Sequence, residues 1–155
     1  MKTDEPLTKA QLQDRAEAYC SRQEHCRSEV AAKLSAWGAT ADDAEDILAS
    51  LERDRFIDEA RYSRFFIHDK YLYDKWGRHK IAYALIRKHI STSVYAPLMD
   101  EVIDRDEYMA ILRGLLAAKR RTLKDPNYHS LRKKLVYFAL QRGYDIDDAQ
   151  LCMDF

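Results

Sequence analysis

A chain of 155 residues with only three prolines and four glycines suits one ordinary domain or a short array of small repeats, and its composition favours helix almost throughout. It has no run of about 18 apolar residues to span a bilayer, and its acidic start, where a signal peptide would be basic and then apolar, predicts a cytoplasmic protein. The formal net charge of zero hides a gradient. Residues 1–60 sum to −6, residues 61–144 to +10 and the last eleven to −4, so a basic middle able to attract polyanions lies between two acidic ends.

In chain order, the pattern first predicts a helix over about residues 8–24, then one carrying Val30, Leu34 and Trp37 on an apolar face. If Trp37 is buried as that spacing suggests, truncating it should cost roughly 3–5 kcal/mol. A third helix follows the Thr40 N-cap, with Asp43 at N3, where backbone N–H groups lack partners. A fourth spans 58–72, capped by Asp58 and stapled by Ile57 and Tyr62. The fifth presents Ile81, Leu85 and Ile86, and the sixth is expected to begin near Ala96, with Pro97 in the first helical position. The seventh runs over 106–123 and stops before Asp125-Pro126; the eighth carries Leu131, Leu135 and Phe138 inward; the ninth starts at an Asp145 cap with Asp148 at N3.

These nine helices repeat. An offset of 51 carries Val30, Leu34 and Leu48 onto Ile81, Leu85 and Met99, and a further 54 carries Ile81, Leu85 and Met99 onto Leu135, Ala139 and Met153. The same register superimposes Gly38, His89 and Gly143 at one turn, where glycine suits positive φ and His89 must adopt it at a cost or turn differently. The expected fold is all-α: three tandem three-helix repeats, 1–57, 58–105 and 106–155, sharing a core in an elongated, curved array, with Trp37, Leu85 and Leu135 turned inward.

Catalytic chemistry is missing from the pattern. There is no Gly-rich phosphate loop, nucleophile elbow or H-E-x-x-H pair. Asp42, Asp43, Glu45 and Asp46 crowd a helix start, where acids complement the dipole. Cys20, His25 and Cys26 lack a fourth ligand and metal spacing, which favours a half-buried Cys20 and an exposed His25 over a zinc site. We therefore expect no catalytic residue, no metal and no cofactor.

Several stretches resemble the RecX family of recombination regulators over about residues 10–155. "AYCSRQEHCRSEVAAKLSAWG" carries Tyr19, Arg22, Ser28, Glu29, Lys33, Leu34 and Gly38; "FIDEARYSRFF" carries Ile57, Asp58, Arg61 and Tyr62. "KWGRHKIAYALIRKHI" adds Gly77, Ile81, Leu85 and Ile90, and "RKKLVYFALQRGY" adds Lys133, Leu135, Phe138, Arg142, Gly143 and Tyr144. Cys20, Cys26, Glu59 and His89 depart from the family pattern. The resemblance implies a non-catalytic regulator that binds the RecA recombinase filament in its groove on DNA and restrains its ATPase and strand exchange. Some family members also bind DNA.

The basic helices of the second and third repeats supply the expected contacts to filament or DNA: Arg78, His79, Lys80, Arg87 and Lys88, then Arg132, Lys133, Lys134 and Arg142. The alternative is a helical module that binds single- or double-stranded DNA non-specifically through the same helices, without RecA. A sequence-reading helix-turn-helix is disfavoured, because the helix after each glycine turn opens with aspartates that would face phosphates. A monomer is expected.

Overall fold

The computed structural model describes residues 5–153, so the first four residues of the acidic start and Asp154 lie outside the described residues. Nine α-helices and no strands occur among the described residues: α1 (Lys9–Arg22), α2 (Arg27–Ala36), α3 (Ala41–Arg53), α4 (Glu59–Leu72), α5 (Arg78–Arg87), α6 (Thr92–Val102), α7 (Arg105–Thr122), α8 (Tyr128–Gln141) and α9 (Ile146–Leu151). They form two compact units. One runs to Tyr62 and includes Lys88–Ile90; the other comprises Ser63–Arg87 and the chain from Ser91 onward.

In the first unit, α1, α2 and α3 pack mutually around Leu12, Ala16, Val30, Leu34, Ile47, Leu48, Leu51 and Ile57. Their starts are fixed locally. Thr8 and Gln11 form a reciprocal capping box on α1, Thr40 Oγ1 accepts the Asp43 N–H on α3, and Asp58 Oδ1 accepts the Arg61 N–H at 3.0 Å on α4. Trp37 does not turn fully inward. It sits at the end of α2, half-buried and edge-on to Tyr19, so its truncation falls below the cost of a fully buried tryptophan. His25, expected at the surface, is buried: its ring stacks on Tyr19 with centroids 3.7 Å apart, an apolar contact that spacing alone does not disclose.

In the second unit, α5 packs on α6, while α7, α8 and α9 pack on one another. Ile81, Leu85, Leu112 and Leu135 are fully covered. The repeat register survives in three dimensions: Val30, Ile81 and Leu135 are all buried, as are Leu34, Leu85 and Ala139, and Leu48, Met99 and Met153. The shared turn also repeats, with φ of 90° at Gly38, 62° at His89 and 95° at Gly143. His89 thus takes the left-handed conformation despite its side chain.

Three expectations fail here. Ile86 is 50% exposed, because Ile81 and Leu85 already fill the inward stripe of a ten-residue helix. α6 begins at Thr92, after a Ser91 cap, so Pro97 lies inside it rather than in its first position. The lost N–H and ring clash cost about 3 kcal/mol in a helix interior; burial of Tyr95, Leu98 and Met99 by the same helix opposes that cost. Asp145 occupies the N-cap of α9 without bonding its N–H groups, since its carboxylate faces the His79 ring instead.

Candidate functional site

The basic residues singled out in the sequence fall into three settings. Arg78 opens α5; its guanidinium pairs with Asp100 at 2.6 Å and its N–H donates to the Tyr108 hydroxyl at 3.0 Å. Burial pushes the Tyr108 phenol up to about 12, which keeps it a neutral acceptor. His79 Nε2 meets the Asp145 carboxylate. These two side chains tie α5 to α6 and to the start of α9.

Lys88 belongs to the first unit. Its carbonyl accepts from Ser28 Oγ at 2.7 Å, and its ammonium lies 3.4 Å from Glu29. Burial acts to raise the Glu29 pKa, but the Cys26 N–H and Lys88 outweigh it and hold the carboxylate below its usual range. Lys134 is similarly engaged, donating to Asp125 at 2.8 Å. Lys134, Ser130 and the Asn127 N–H together hold Asp125 down at about 2. The structure therefore assigns Lys88 and Lys134 local partners, which sequence patterning treats as solvated charge.

The remaining cations lie against aromatic rings. Lys80 Nζ is 4.4 Å from the Trp76 ring centroid, Arg87 is 5.8 Å from Tyr83, Arg132 is 5.6 Å from Tyr128 and Arg142 is 5.2 Å from Phe138. Lys133 is exposed and lines an open groove of about 420 Å³ with His129, Tyr137 and Leu140. Tyr83 and Tyr137 are 62% and 63% exposed, so both basic helices also offer apolar contact area.

A backbone contact positions the Trp76 and Phe138 groups. The Gly77 N–H donates to the Arg142 carbonyl at 2.7 Å, the His79 N–H donates to the Gly143 carbonyl at 3.0 Å, and Tyr144 Oη donates to the Lys75 carbonyl at 3.0 Å. The start of α5 is thereby docked on the turn that ends α8. Trp76 was missed in the sequence reading, as were Lys70, whose ammonium lies 4.7 Å from the same ring, and Lys119, 5.4 Å from Phe138. The available signal was Lys80 four residues after Trp76, which precedes α5, and Arg142 four after Phe138, about one turn on at the end of α8.

No three metal-ligating side chains gather in one place among the described residues. No helix among the described residues is long and apolar enough to cross a membrane.

Residues 58–95 match the family model described as "RecX, second three-helix domain". A protein of Herminiimonas arsenicoxydans named "Regulatory protein RecX" is 32% identical over 147 residues, covering 92% of this chain and 90% of that relative. The chain belongs to the RecX family. A second RecX, from Herbaspirillum seropedicae, is 28% identical and covers 90% of this chain and 86% of its own length. The crystal structure of RecX from Lactobacillus salivarius shares the fold, with a TM-score of 0.84 at 18% identity over 93% of each chain. The relatives are regulatory proteins by name, so the RecX assignment brings with it a regulatory protein of all-helical fold.

Proposed function

We propose that this RecX protein binds the RecA recombinase filament on DNA as a cytoplasmic monomer and restrains its ATPase and strand exchange, with no catalysis of its own. The observation carrying this reading is the near full-length similarity to a named RecX at 32% identity. Three repeats, divided as 1–57, 58–105 and 106–155, would present α5 and α8 to successive filament subunits, so that several weak contacts combine. The proposed contacts are Arg78, His79, Lys80, Arg87, Lys88, Arg132, Lys133, Lys134 and Arg142. Of these, Lys80, Arg87 and Lys133 support the reading best: all three are exposed, and none has a carboxylate partner among the described residues, unlike Arg78, Lys88 and Lys134.

The test compares binding to RecA filaments with binding to the same DNA bare, across a salt series, alongside RecA ATPase. The reading expects tighter, less salt-sensitive association with the filament and a fall in ATP turnover. Equal affinity for both at every salt concentration would sink it and favour non-specific DNA binding, whose affinity falls with a log–log slope of roughly −0.7 per neutralised phosphate on single strands.

A further inference from the structure

The first unit holds a cluster of cations set against the sign of its surroundings. Residues 1–60 contain eight Lys and Arg against fourteen Asp and Glu, so a base there has ample choice of carboxylate partners. Lys9 takes Asp46, and Arg27 takes both Glu45 and Glu52. Arg15, Arg22 and Lys33 take none among the described residues, yet all three line one cavity of about 350 Å³ between α1 and α2, together with Ala18, Tyr19 and Trp37. Three positive charges facing one space repel one another, and an anion placed among them turns that repulsion into attraction.

Helical spacing builds the cavity. Arg15, Ala18, Tyr19 and Arg22 stand at i, i+3, i+4 and i+7 of α1, and Lys33 and Trp37 stand four apart at the end of α2. Ala18, the smallest of the lining residues, leaves the space between them open. The half-buried rings position the cations rather than offer a free face: Arg15 Cζ lies 5.8 Å from the Trp37 centroid and Lys33 Nζ lies 5.6 Å from that of Tyr19, while His25 stacks on Tyr19 at 3.7 Å. Trp37 meets Tyr19 edge-on at 6.3 Å, which fixes the corner between the two helices. The three cations are themselves exposed, so a ligand reaches them from solvent.

We infer that this cavity binds a compact phosphate polyanion, supplied either as inorganic polyphosphate or as the phosphate chain of a nucleotide. The guanidinium forks of Arg15 and Arg22 suit the paired oxygens of phosphate groups, and the Lys33 ammonium adds a point charge. The volume lies near the lower bound of small-molecule sites, about 300 Å³, which suits a short chain of phosphates. A lone carboxylate would leave two of the three charges unmatched. A nucleic-acid strand carries one charge per nucleotide along its length, whereas a polyphosphate concentrates several within the cavity. The site uses neither α5 nor α8, so it stands or falls separately from the filament reading.

The test is calorimetric titration of the unmodified full chain with sodium tripolyphosphate, ATP, inorganic phosphate and adenosine. Tripolyphosphate should bind saturably, inorganic phosphate about tenfold or more weakly, and adenosine not at all. Either ranking of ATP supports the site and identifies its source: affinity equal to that of tripolyphosphate assigns the bare polyanion, and tighter binding assigns the nucleotide. Arg15→Gln, Arg22→Gln and Lys33→Gln should each weaken tripolyphosphate binding about tenfold. Lys133→Gln, in the second unit, should change it by less than about twofold, since exposed charges beyond a Debye length are screened. The proposal is overturned by the absence of saturable tripolyphosphate binding, by an equal loss in Lys133→Gln, or by a thymidine oligomer that competes as well at equal phosphate concentration. The first and last of these need no variant and are immune to a folding defect.

Discussion

A Cβ added to Gly77 would lie 2.2 Å from the carbonyl carbon of Gly143, closer than any real contact permits. Both residues are buried and the obstacle is backbone, which cannot rotate aside. Gly77→Ala should therefore destabilise the protein by about 3 kcal/mol or more, the upper end for overpacking. Gly114→Ala is the internal control: its Cβ would meet nothing within 4 Å, and it lies within α7. That change should stabilise by about 1 kcal/mol through helix propensity. Urea unfolding of the two variants checks both signs.

His89 holds φ at 62° where the equivalent turns use glycine. Replacing it by glycine should relieve about 1 kcal/mol of backbone strain, partly offset by glycine's greater freedom in the unfolded chain. A raised thermal midpoint for His89→Gly is the expected outcome, and an unchanged or lowered one would place the stabilising role in the imidazole.

Arg105 grips Asp148 with two hydrogen bonds, at 2.6 and 3.1 Å, and the carboxylate is only 7% exposed. Arg105→Ala leaves that acceptor covered and without its guanidinium partner, at a cost of about 1–3 kcal/mol. Adding Asp148→Asn should recover part of the loss, so a double-mutant cycle should return a coupling energy clearly different from zero.

Asp125 is held at about 2, down from its ordinary 3.8, by Lys134, Ser130 and the Asn127 N–H. A carboxyl depressed by folding contributes stability that is fully present above its unfolded value and lost as pH falls through the folded one. The stability gap between the wild type and Asp125→Asn should therefore be constant above about pH 5 and shrink between about pH 4 and 2. Chemical denaturation of both proteins across that range measures it.

Arg87→Glu combined with Lys133→Glu alters two exposed side chains. Helical content should hold and the stability change should remain near about 0.5 kcal/mol per site. Filament affinity and inhibition of RecA ATPase should fall; full inhibition by the double variant would place the contact on another face.

The buried register was legible because it is local and periodic: Val30, Ile81 and Leu135 announce themselves by helical spacing and recur at fixed offsets. Caps read equally well where the side chain serves its own helix, as at Thr40 and Asp58. Asp145 could not be read this way, because His79, 66 positions earlier, competes for its carboxylate. Pro97 misled because local propensity placed it at a helix start, whereas the burial of Leu98 and Met99 keeps one helix running through it. The candidate site was half legible. Its cations stood out as charge runs, but the sharing of Trp76 by Lys70 and Lys80, and the pairing of Lys88 with Glu29, depend on elements that only folding brings together.

Lys88–Ile90 belongs to the first unit while the residues on either side belong to the second. The polypeptide therefore passes from one unit to the other three times, and neither can be cut out as a single uninterrupted stretch. A fragment ending at Tyr62 would lose the Lys88 carbonyl that accepts from the Ser28 hydroxyl and the Lys88 ammonium beside the Glu29 carboxylate. Dissecting this molecule by truncation would thus injure the piece retained as well as remove the piece discarded.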